Sequence, residues 1–186
     1  MSWCRQVAPD VWLGFGWCTP VVGGHRPEQR WLRDREAADR AVAAVVTASG
    51  LGRDACTISR SHTLGVAVAV AAPAGVRVGV DLVAVERVNP RHARAVVADG
   101  EWKTLNAYAS VRPALAWATK EAAAKATGEP LGCFPHGLSI EAGPSGLIVR
   151  EAGGGRGFTA DWGLVGGFLY AWVVELRAEQ ESRSLP

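Results

Sequence analysis

The chain has 186 residues, of which 48% are hydrophobic and 20% charged. This composition excludes a disordered or fibrous protein, and the length suits one ordinary domain or two small halves that share a core. The net charge is only +2. Because proteins that bind duplexes usually carry a concentrated basic stripe, we expect no nucleic-acid partner.

Cysteine spacing and hydropathy indicate the cellular compartment of the protein. The four cysteines are scattered along the chain: Cys4, Cys18, Cys56 and Cys133. That spacing is typical of neither a disulfide framework nor a thiolate metal site, and it favours reduced thiols. The longest apolar run, 65–76, is broken by proline and is too short to span a bilayer. We therefore expect a cytoplasmic protein with no membrane partner.

The first predicted elements are strands and one long helix. A Trp- and Phe-rich stretch ends at a proline turn, and a segment with apolar residues near helical spacing ends at glycines. The predicted elements are a strand at 10–20, a helix at 28–47, and strands at 56–59, 65–72 and 76–83. We expect these three later strands to form an antiparallel meander or hairpin, with a turn at 73–75.

The second part of the chain is predicted to be helical and then to return to strands. Pro113 and Gly128 mark the start and the end of an alanine-rich helix. The predicted helices are 90–98, 100–107 and 112–127, and the strands are 138–141, 146–150, 158–162 and 168–176. The polar tail from residue 178 is expected to fray.

This order of elements predicts an α+β fold made of two related halves packed face to face. The division is expected near Pro73, with an N-terminal half at 1–73 and a C-terminal half at 74–186. No repeat is visible residue by residue.

The strand at 76–83 carries one acidic residue in an apolar setting. Both of its faces are nearly apolar, which predicts burial on both sides. An ionised Asp81 there needs a cation or strong hydrogen-bond donors, unless it caps the turn at the end of the strand. Gly79, on the same face, leaves room for a close approach to the backbone.

The helix at 112–127 places three notable residues on one face. Trp117, Glu121 and Lys125 are spaced i, i+4, i+8. A Glu–Lys pair is common on exposed helices, but a tryptophan on the same face favours a cleft. Arginine outnumbers lysine 17 to 3, so Lys120 and Lys125 are better functional candidates than most lysines.

A polar segment, Ser59-Arg60-Ser61-His62-Thr63, lies between two predicted strands. Its hydroxyls, histidine and arginine suit phosphate oxygens, although the segment could equally be a hairpin turn. The sequence contains no hydrolase elbow, Walker loop or dinucleotide fingerprint.

Together these segments resemble the 4′-phosphopantetheinyl transferases. The strand motif is Val78-Gly79-Val80-Asp81, and the helix motif is Trp117-x-x-Lys120-Glu121-Ala122-x-x-Lys125. Upstream, Ser61-His62-Thr63 is similar to a motif of the larger, surfactin-synthetase-activating type. That type is an intramolecular pseudodimer, which the resemblance implies for this chain.

The resemblance implies transfer of phosphopantetheine from coenzyme A to a serine of an apo carrier protein, with release of 3′,5′-ADP. Asp81 and Glu121 are similar to the pair that holds Mg²⁺, and Lys125 is expected to reach the pyrophosphate. Glu121, or a water that it holds, is expected to take the serine proton. Ser61 and His62 resemble contacts to the coenzyme A phosphates.

The chain departs from the family pattern near the strand aspartate. Many larger members carry a second carboxylate where this chain has Val83, and Glu86 lies beyond the strand and is not a predicted ligand. The metal is therefore expected to have two protein carboxylates and water. Glu101 resembles a family glutamate, or is a surface residue at a helix start.

Several arginines are candidates for anionic partners. Arg53 is expected to replace a family lysine at the 3′-phosphate, with Arg33 and Arg40 in the region that supplies further basic contacts. Because carrier proteins are usually acidic, three arginines are candidates for docking, unless they are only solvated helix charges: Arg87, Arg91 and Arg94.

Two other interpretations compete with an active transferase. A degenerate homologue would bind coenzyme A or carrier proteins without transfer. An unrelated metal-dependent phosphohydrolase would need more carboxylates or histidines near Asp81 than the sequence offers. The sequence does not identify the carrier, whether of fatty acid, polyketide or nonribosomal peptide synthesis.

Overall fold

The computed structural model describes residues 1–18, 27–129, 137–144 and 146–176. These residues form two antiparallel sheets. The first sheet has the order β1-β2-β4-β3, with β1 at Ser2–Ala8, β2 at Val11–Trp17, β3 at Cys56–Thr63 and β4 at Val66–Pro73. The second has the order β5-β9-β8-β7-β6, with β5 at Val78–Ala84, β6 at Leu138–Gly143, β7 at Gly146–Glu151, β8 at Gly157–Val165 and β9 at Phe168–Glu175.

The described residues also form four α-helices: α1 at Pro27–Ser49, α2 at Pro90–Val96, α3 at Asp99–Thr104 and α4 at Arg112–Thr127. The bounds of α4 are those predicted, because Pro113 suits the first turn and Gly128, with φ of 84°, suits the position after the last turn. Within the described ranges, no helix has the length and apolar character needed to cross a membrane.

The two sheets lie face to face between α1 and α4, which gives four layers. Strand β4 shows how the sequence sets these layers. Its valines, Val66, Val68 and Val70, pack in the core between the sheets, whereas its alanines, Ala67, Ala69 and Ala71, pack beneath α1. Small side chains on the helix side let α1 approach closely, and the alternation buries both faces of the strand.

Strand β5 repeats this division in the second sheet. Val78, Val80 and Leu82 pack between the sheets. Gly79 faces α4, which lies so close that a Cβ atom at residue 79 would be 1.8 Å from the carbonyl oxygen of Ala122. Asp81, two residues on, therefore points to the helix side of the sheet as well.

The structure corrects several predictions. Strand β1 was not predicted. The segment 59–63 lies inside β3 rather than in a turn, because β3 pairs with β4 along its whole length. The meander is right for β3 and β4 but wrong for β5, which pairs with β9 in the other sheet. Cys4, Cys18 and Cys56 are free thiols, while Cys133 and the tail from 178 are outside the described residues.

Candidate active site

Asp81 lies inside β5 and is only 7% exposed. Ser61 Oγ donates a hydrogen bond of 2.8 Å to its Oδ1 atom, and Lys125 Nζ donates one of 2.7 Å to the same atom. The strand continues to Ala84, so Asp81 does not cap the turn that follows. A cation and a hydroxyl compensate the buried carboxylate, as burial of an ionised group requires.

Helix α4 presents its Trp117–Glu121–Lys125 face to this strand. Lys125 Nζ reaches β5 twice, since it also donates to the carbonyl oxygen of Val80 over 3.0 Å. Trp117 lines a cavity together with Asp81. The Lys125 side chain is 31% exposed although its ammonium group pairs with Asp81.

Glu121 belongs to the same cluster. Burial raises the pKa of its carboxyl group, the negative charge of Asp81 raises it further, and Lys125 lowers it. The negative charge of Asp81 thus disfavours ionisation of Glu121. That the two carboxylates meet across β5 and α4 around one cation stays a prediction.

The donor set of this cluster fits a magnesium ion. Mg²⁺ is usually held by one or two carboxylates, with water and substrate phosphates completing its shell. No group of three or more His, Cys, Asp or Glu residues that could hold a metal occurs within the described ranges. A cation here would therefore depend on Asp81, Glu121 and non-protein oxygens, which is the composition expected for Mg²⁺ beside a phosphate.

A cavity of about 370 Å³ opens beside Asp81. Polar groups from the first sheet, Ser61 and His62, form one wall. Val83 lies in the lining as well, on the same face of β5 as Asp81. The cavity wall is therefore apolar at residue 83, and Glu86 lies in the 3₁₀ turn after β5, outside the lining.

A second cavity, of about 490 Å³, lies against the first sheet and shares His62 with the first cavity. Arg35, Arg53 and Arg60 line it, together with Trp31 and the acidic Asp39. Three guanidinium groups make this cavity suitable for an anion, and the tryptophan offers a face for stacking. His62 belongs to both linings, so the two cavities adjoin at this side chain.

The arginines of α1 are partly different from those predicted. Arg53 lines the second cavity, as its predicted contact with a phosphate requires. Arg40 instead donates to the carbonyl oxygen of Trp17 and pairs with Glu36, and neither Arg33 nor Arg40 belongs to the described lining. Arg35 of α1 lines this cavity and was not predicted, because one arginine among several on a helix carries no sequence signal. The predicted contacts of Arg33 and Arg40 with coenzyme A stay predictions.

Trp31 of α1 is 58% exposed, and the guanidinium carbon of Arg35 lies 5.4 Å from the centre of its ring. This contact is a cation–π pair at the protein surface.

Glu101 and Lys120 are buried away from the cavity. Lys120 is 0% exposed and its Nζ atom lies 2.9 Å from Glu101 Oε2. Burial lowers the pKa of the Lys120 ammonium, and the Glu101 carboxylate opposes this effect. Glu101 is therefore not the surface residue that was considered, and Lys120 does not reach the site although its rarity made it a candidate.

The docking candidates after β5 lie in different surroundings. Arg87 lines the cavity beside Asp81, Arg91 is exposed on α2, and Arg94 lines a third cavity with Trp102 and Arg112. Two residues of the first cavity, Asn89 and His92, were missed. Asn89 is visible in the sequence only as the N-cap of α2.

One segment of the chain is similar to a known protein family. Residues 77–146 match the family model described as "ACPS: 4′-phosphopantetheinyl transferase superfamily". No protein with a curated description matches the chain. A solved structure of a holo-(acyl-carrier-protein) synthase from Bacillus anthracis str. Ames, in complex with CoA (3′,5′-ADP), is 18% identical, with a TM-score of 0.43 over 53% of this chain and 93% of that one.

The family match covers β5, α2, α3, α4 and β6, and it includes Asp81 in β5 and Glu121 and Lys125 in α4. Residues 77–146 therefore carry the sequence pattern of the 4′-phosphopantetheinyl transferase superfamily, and this pattern supports a phosphopantetheinyl transferase.

Proposed function

We propose that the protein transfers 4′-phosphopantetheine from coenzyme A to a serine hydroxyl of an apo acyl or peptidyl carrier protein. The serine oxygen forms a bond to the phosphorus that bears pantetheine, the bridging P–O bond of the pyrophosphate breaks, and 3′,5′-ADP leaves with that oxygen. The observation that carries the proposal is the hydrogen bond between Lys125 and the buried Asp81 at the wall of a cavity, with Glu121 one turn away on the same helix face, within the segment that matches the family.

Asp81 and Glu121 are the residues that would hold Mg²⁺, which when bound supplies positive charge against the phosphoryl oxygens. Lys125 is one turn beyond Glu121 on the same face, and its partly exposed ammonium group can pair with the pyrophosphate. Charge that develops on the phosphoryl oxygens is thus met by a fixed cation of the protein.

Glu121 is also suited to the proton transfer. A general base works best when its pKa lies near the operating pH, and both burial and Asp81 raise the pKa of Glu121. We assign the serine proton to Glu121, directly or through a water that it holds.

Coenzyme A would extend from the first cavity into the second. Ser61 and His62 lie beside Asp81 and are assigned to the pyrophosphate. Arg53, Arg35 and Arg60 are assigned to the 3′-phosphate, and Trp31 to the adenine ring. This assignment uses β3 and α1 from the first sheet and its helix, together with β5 and α4 from the second.

We also infer that the two halves, 1–73 and 74–186, form an intramolecular pseudodimer. Each half packs a long helix over a glycine of one strand. A Cβ atom at Gly16 of β2 would lie 2.1 Å from the carbonyl oxygen of Ala37 in α1, as one at Gly79 would clash with α4. Strands with the same close packing in both halves support a common design.

The test is modification of an apo carrier protein by coenzyme A and Mg²⁺, followed by mass spectrometry. We expect the wild-type protein to add one phosphopantetheine group, and Asp81→Ala or Glu121→Ala to abolish the addition. Glu129→Gln, an exposed carboxylate beyond the end of α4, is the matched control and should retain full activity. Full activity in both alanine variants would eliminate the proposed metal site.

A degenerate homologue that binds coenzyme A without transfer is the second candidate, and Val83 in the cavity wall favours it. The two candidates differ in one measurement. Micromolar binding of coenzyme A by calorimetry, with no modification of carriers from fatty acid, polyketide or peptide synthesis, would favour binding alone.

A further inference from the structure

The buried ion pair of Lys120 and Glu101 has no role in the chemistry proposed above. Lys120 is the largest side chain with essentially no exposure in the described part of the chain, and Glu101 is 6% exposed. Lys120 Nζ donates to Glu101 Oε2 and to the carbonyl oxygen of Val96, the last residue of α2. One ammonium group on α4 thus connects to two other helices.

The carboxylate of Glu101 joins further elements. Its Oε2 atom also accepts a hydrogen bond of 2.5 Å from the backbone N–H of Ala98, at the start of α3. Its Oε1 atom accepts one of 2.7 Å from the N–H of Ile140. Ile140 lies in β6, an edge strand whose neighbour among the described strands is β7. Glu101 therefore accepts from a backbone N–H that no described strand bonds. Four elements therefore meet at this pair.

Such a pair is not explained by stability alone. Removing two charges from water costs several kcal/mol for each ion, and well-packed apolar residues of similar size often stabilise a protein as much or more. A buried pair that is fully hydrogen-bonded does, however, fix its members in one arrangement. We therefore expect the ion pair to act mainly on the relative placement of the helices that it connects.

The connected helices form two walls of the active-site cavity. Helix α2, held at its C-terminal end by Lys120, supplies His92 to the lining, and Asn89 lies directly before its first residue. Helix α4 supplies Trp117 to the lining, and it carries Glu121, the proposed base, directly after Lys120. A shift of α2 against α4 would therefore move one wall of the cavity relative to the proposed base.

We propose that Lys120 and Glu101 are positioning residues, whose ion pair holds α2 and α4 at the spacing that the reaction at Asp81 and Glu121 requires. This inference rests on the proposed function for its kinetic consequence, but its structural consequence is independent of it. Misplacement of reacting groups by about 1 Å can reduce a rate on the order of 100-fold. The loss should appear in kcat, since neither residue lines the cavities assigned to coenzyme A.

The test is the double variant Lys120→Met with Glu101→Gln, which removes both charges and leaves one carbonyl acceptor for the N–H groups of Ala98 and Ile140. We expect cooperative unfolding at a somewhat lower denaturant midpoint than that of the wild type, a kcat about 10- to 100-fold lower, and a Kd for coenzyme A within about twofold of the wild type. Amide hydrogen exchange over residues 90–98 should be faster.

The matched control removes another ion pair of the same half, Glu151 with Arg156 at the β7–β8 turn, where the two side chains lie 2.8 Å apart. Glu151→Gln with Arg156→Met should leave kcat and exchange over 90–98 unchanged. If the Lys120 double variant does not fold, Glu101→Asp serves instead. It keeps the charge but is too short to reach all three donors, and the same loss of kcat is expected.

Wild-type kcat together with wild-type exchange over 90–98, in either variant, would overturn the inference. Absence of transfer by the wild-type protein would instead refute the proposed function. The exchange measurement would then still decide whether the pair holds α2.

Discussion

Ionisation of Glu121 is opposed by its burial and by the nearby carboxylate of Asp81. Both effects raise the pKa of Glu121 above its usual range in the folded protein. The protonated side chain therefore stabilises the fold at acid pH, and this contribution is lost as the pH rises through the raised pKa. Without a divalent cation, the protein at neutral pH should thus contain a destabilising charge at the centre of its site.

The first prediction concerns that charge. In the presence of a chelator, we expect Glu121→Gln to raise the urea midpoint at pH 7, because the neutral amide removes the repulsion with Asp81. The advantage should shrink as the pH falls through the raised pKa of Glu121 and be absent below the usual pKa of a glutamate. Glu129→Gln should show no such dependence. A lower midpoint for Glu121→Gln at pH 7 would contradict the placement of the two carboxylates.

The second prediction concerns Lys125, which pairs with Asp81 in this structure and is proposed to pair with the pyrophosphate. Lys125→Met should reduce kcat/KM for coenzyme A about 100- to 1,000-fold, the usual effect of removing one group that stabilises charge in a transition state. Lys125→Arg should recover part of the loss, since it retains the positive charge. Equal rates for the Met and wild-type proteins would show that Lys125 does not act on the phosphates.

Some residues could be identified as candidates from sequence because their surroundings are local. An acid in an apolar strand needs a partner, and a Trp–Glu–Lys face needs a surface to meet. Lys120 and Glu101 could not be placed in this way. Their burial depends on the ends of α2 and α3 and on the edge strand β6 meeting around them, which is information that no short motif contains.

At the scale of elements, the approach of α4 to β5 controls the geometry of the site. This approach is possible only because residue 79 has no side chain. The third prediction is that Gly79→Ala destabilises the protein by about 3 kcal/mol or more, since the added methyl group meets helix backbone that cannot turn away. Thermal or denaturant unfolding measures this effect.

Gly100→Ala is the control for that prediction, because a Cβ atom at residue 100 meets nothing within 4 Å and alanine is the better helix former. It should be neutral or stabilise the protein by up to about 1 kcal/mol. Similar destabilisation by both substitutions would mean that loss of glycine itself, and not contact with α4, is responsible.

The fourth prediction concerns docking of the carrier protein on helix α2. Arg91 is exposed there, next to the cavity, and an acidic carrier protein is the proposed partner. Arg91→Glu should raise the KM for the carrier about 10-fold while the Kd for coenzyme A is unchanged, because reversal of a charge at a docking surface acts on encounter with the partner. Lys103→Glu, an exposed reversal on α3, is the control. Unchanged carrier kinetics in Arg91→Glu would remove α2 from the docking surface.

Helix α4 and strand β5 were predictable from sequence because their limits are set by local signals. Proline and glycine bound α4, and continuous apolar character identifies β5 as buried on both faces. The sheet to which β5 belongs was not predictable, since its partner β9 is almost a hundred residues away in the chain. Strand β1 was missed because SWCRQVA lacks a clear alternation of apolar residues.

At the scale of the whole molecule, the two cavities draw residues from both sheets and meet at His62. The fifth prediction distinguishes which end of coenzyme A, the proposed ligand, contacts Arg53. Arg53→Gln should weaken binding of coenzyme A about 10-fold, the usual effect of losing one charge-assisted hydrogen bond, and should leave binding of 3′-dephospho-coenzyme A unchanged. Calorimetry with both compounds gives the comparison, and an equal loss for both would remove Arg53 from the 3′-phosphate.

The valines of β4 and the apolar residues of β5 bury one another between the sheets, while only Ala74 to Arg77 connect the two strands. Cleavage within this exposed connection would break one peptide bond, yet each fragment alone would expose a hydrophobic sheet face to water. The fragments should accordingly remain associated after nicking and be insoluble when expressed apart. Co-expression of the two pieces would then reconstitute a protein whose assembly can be made conditional on bringing the fragments together.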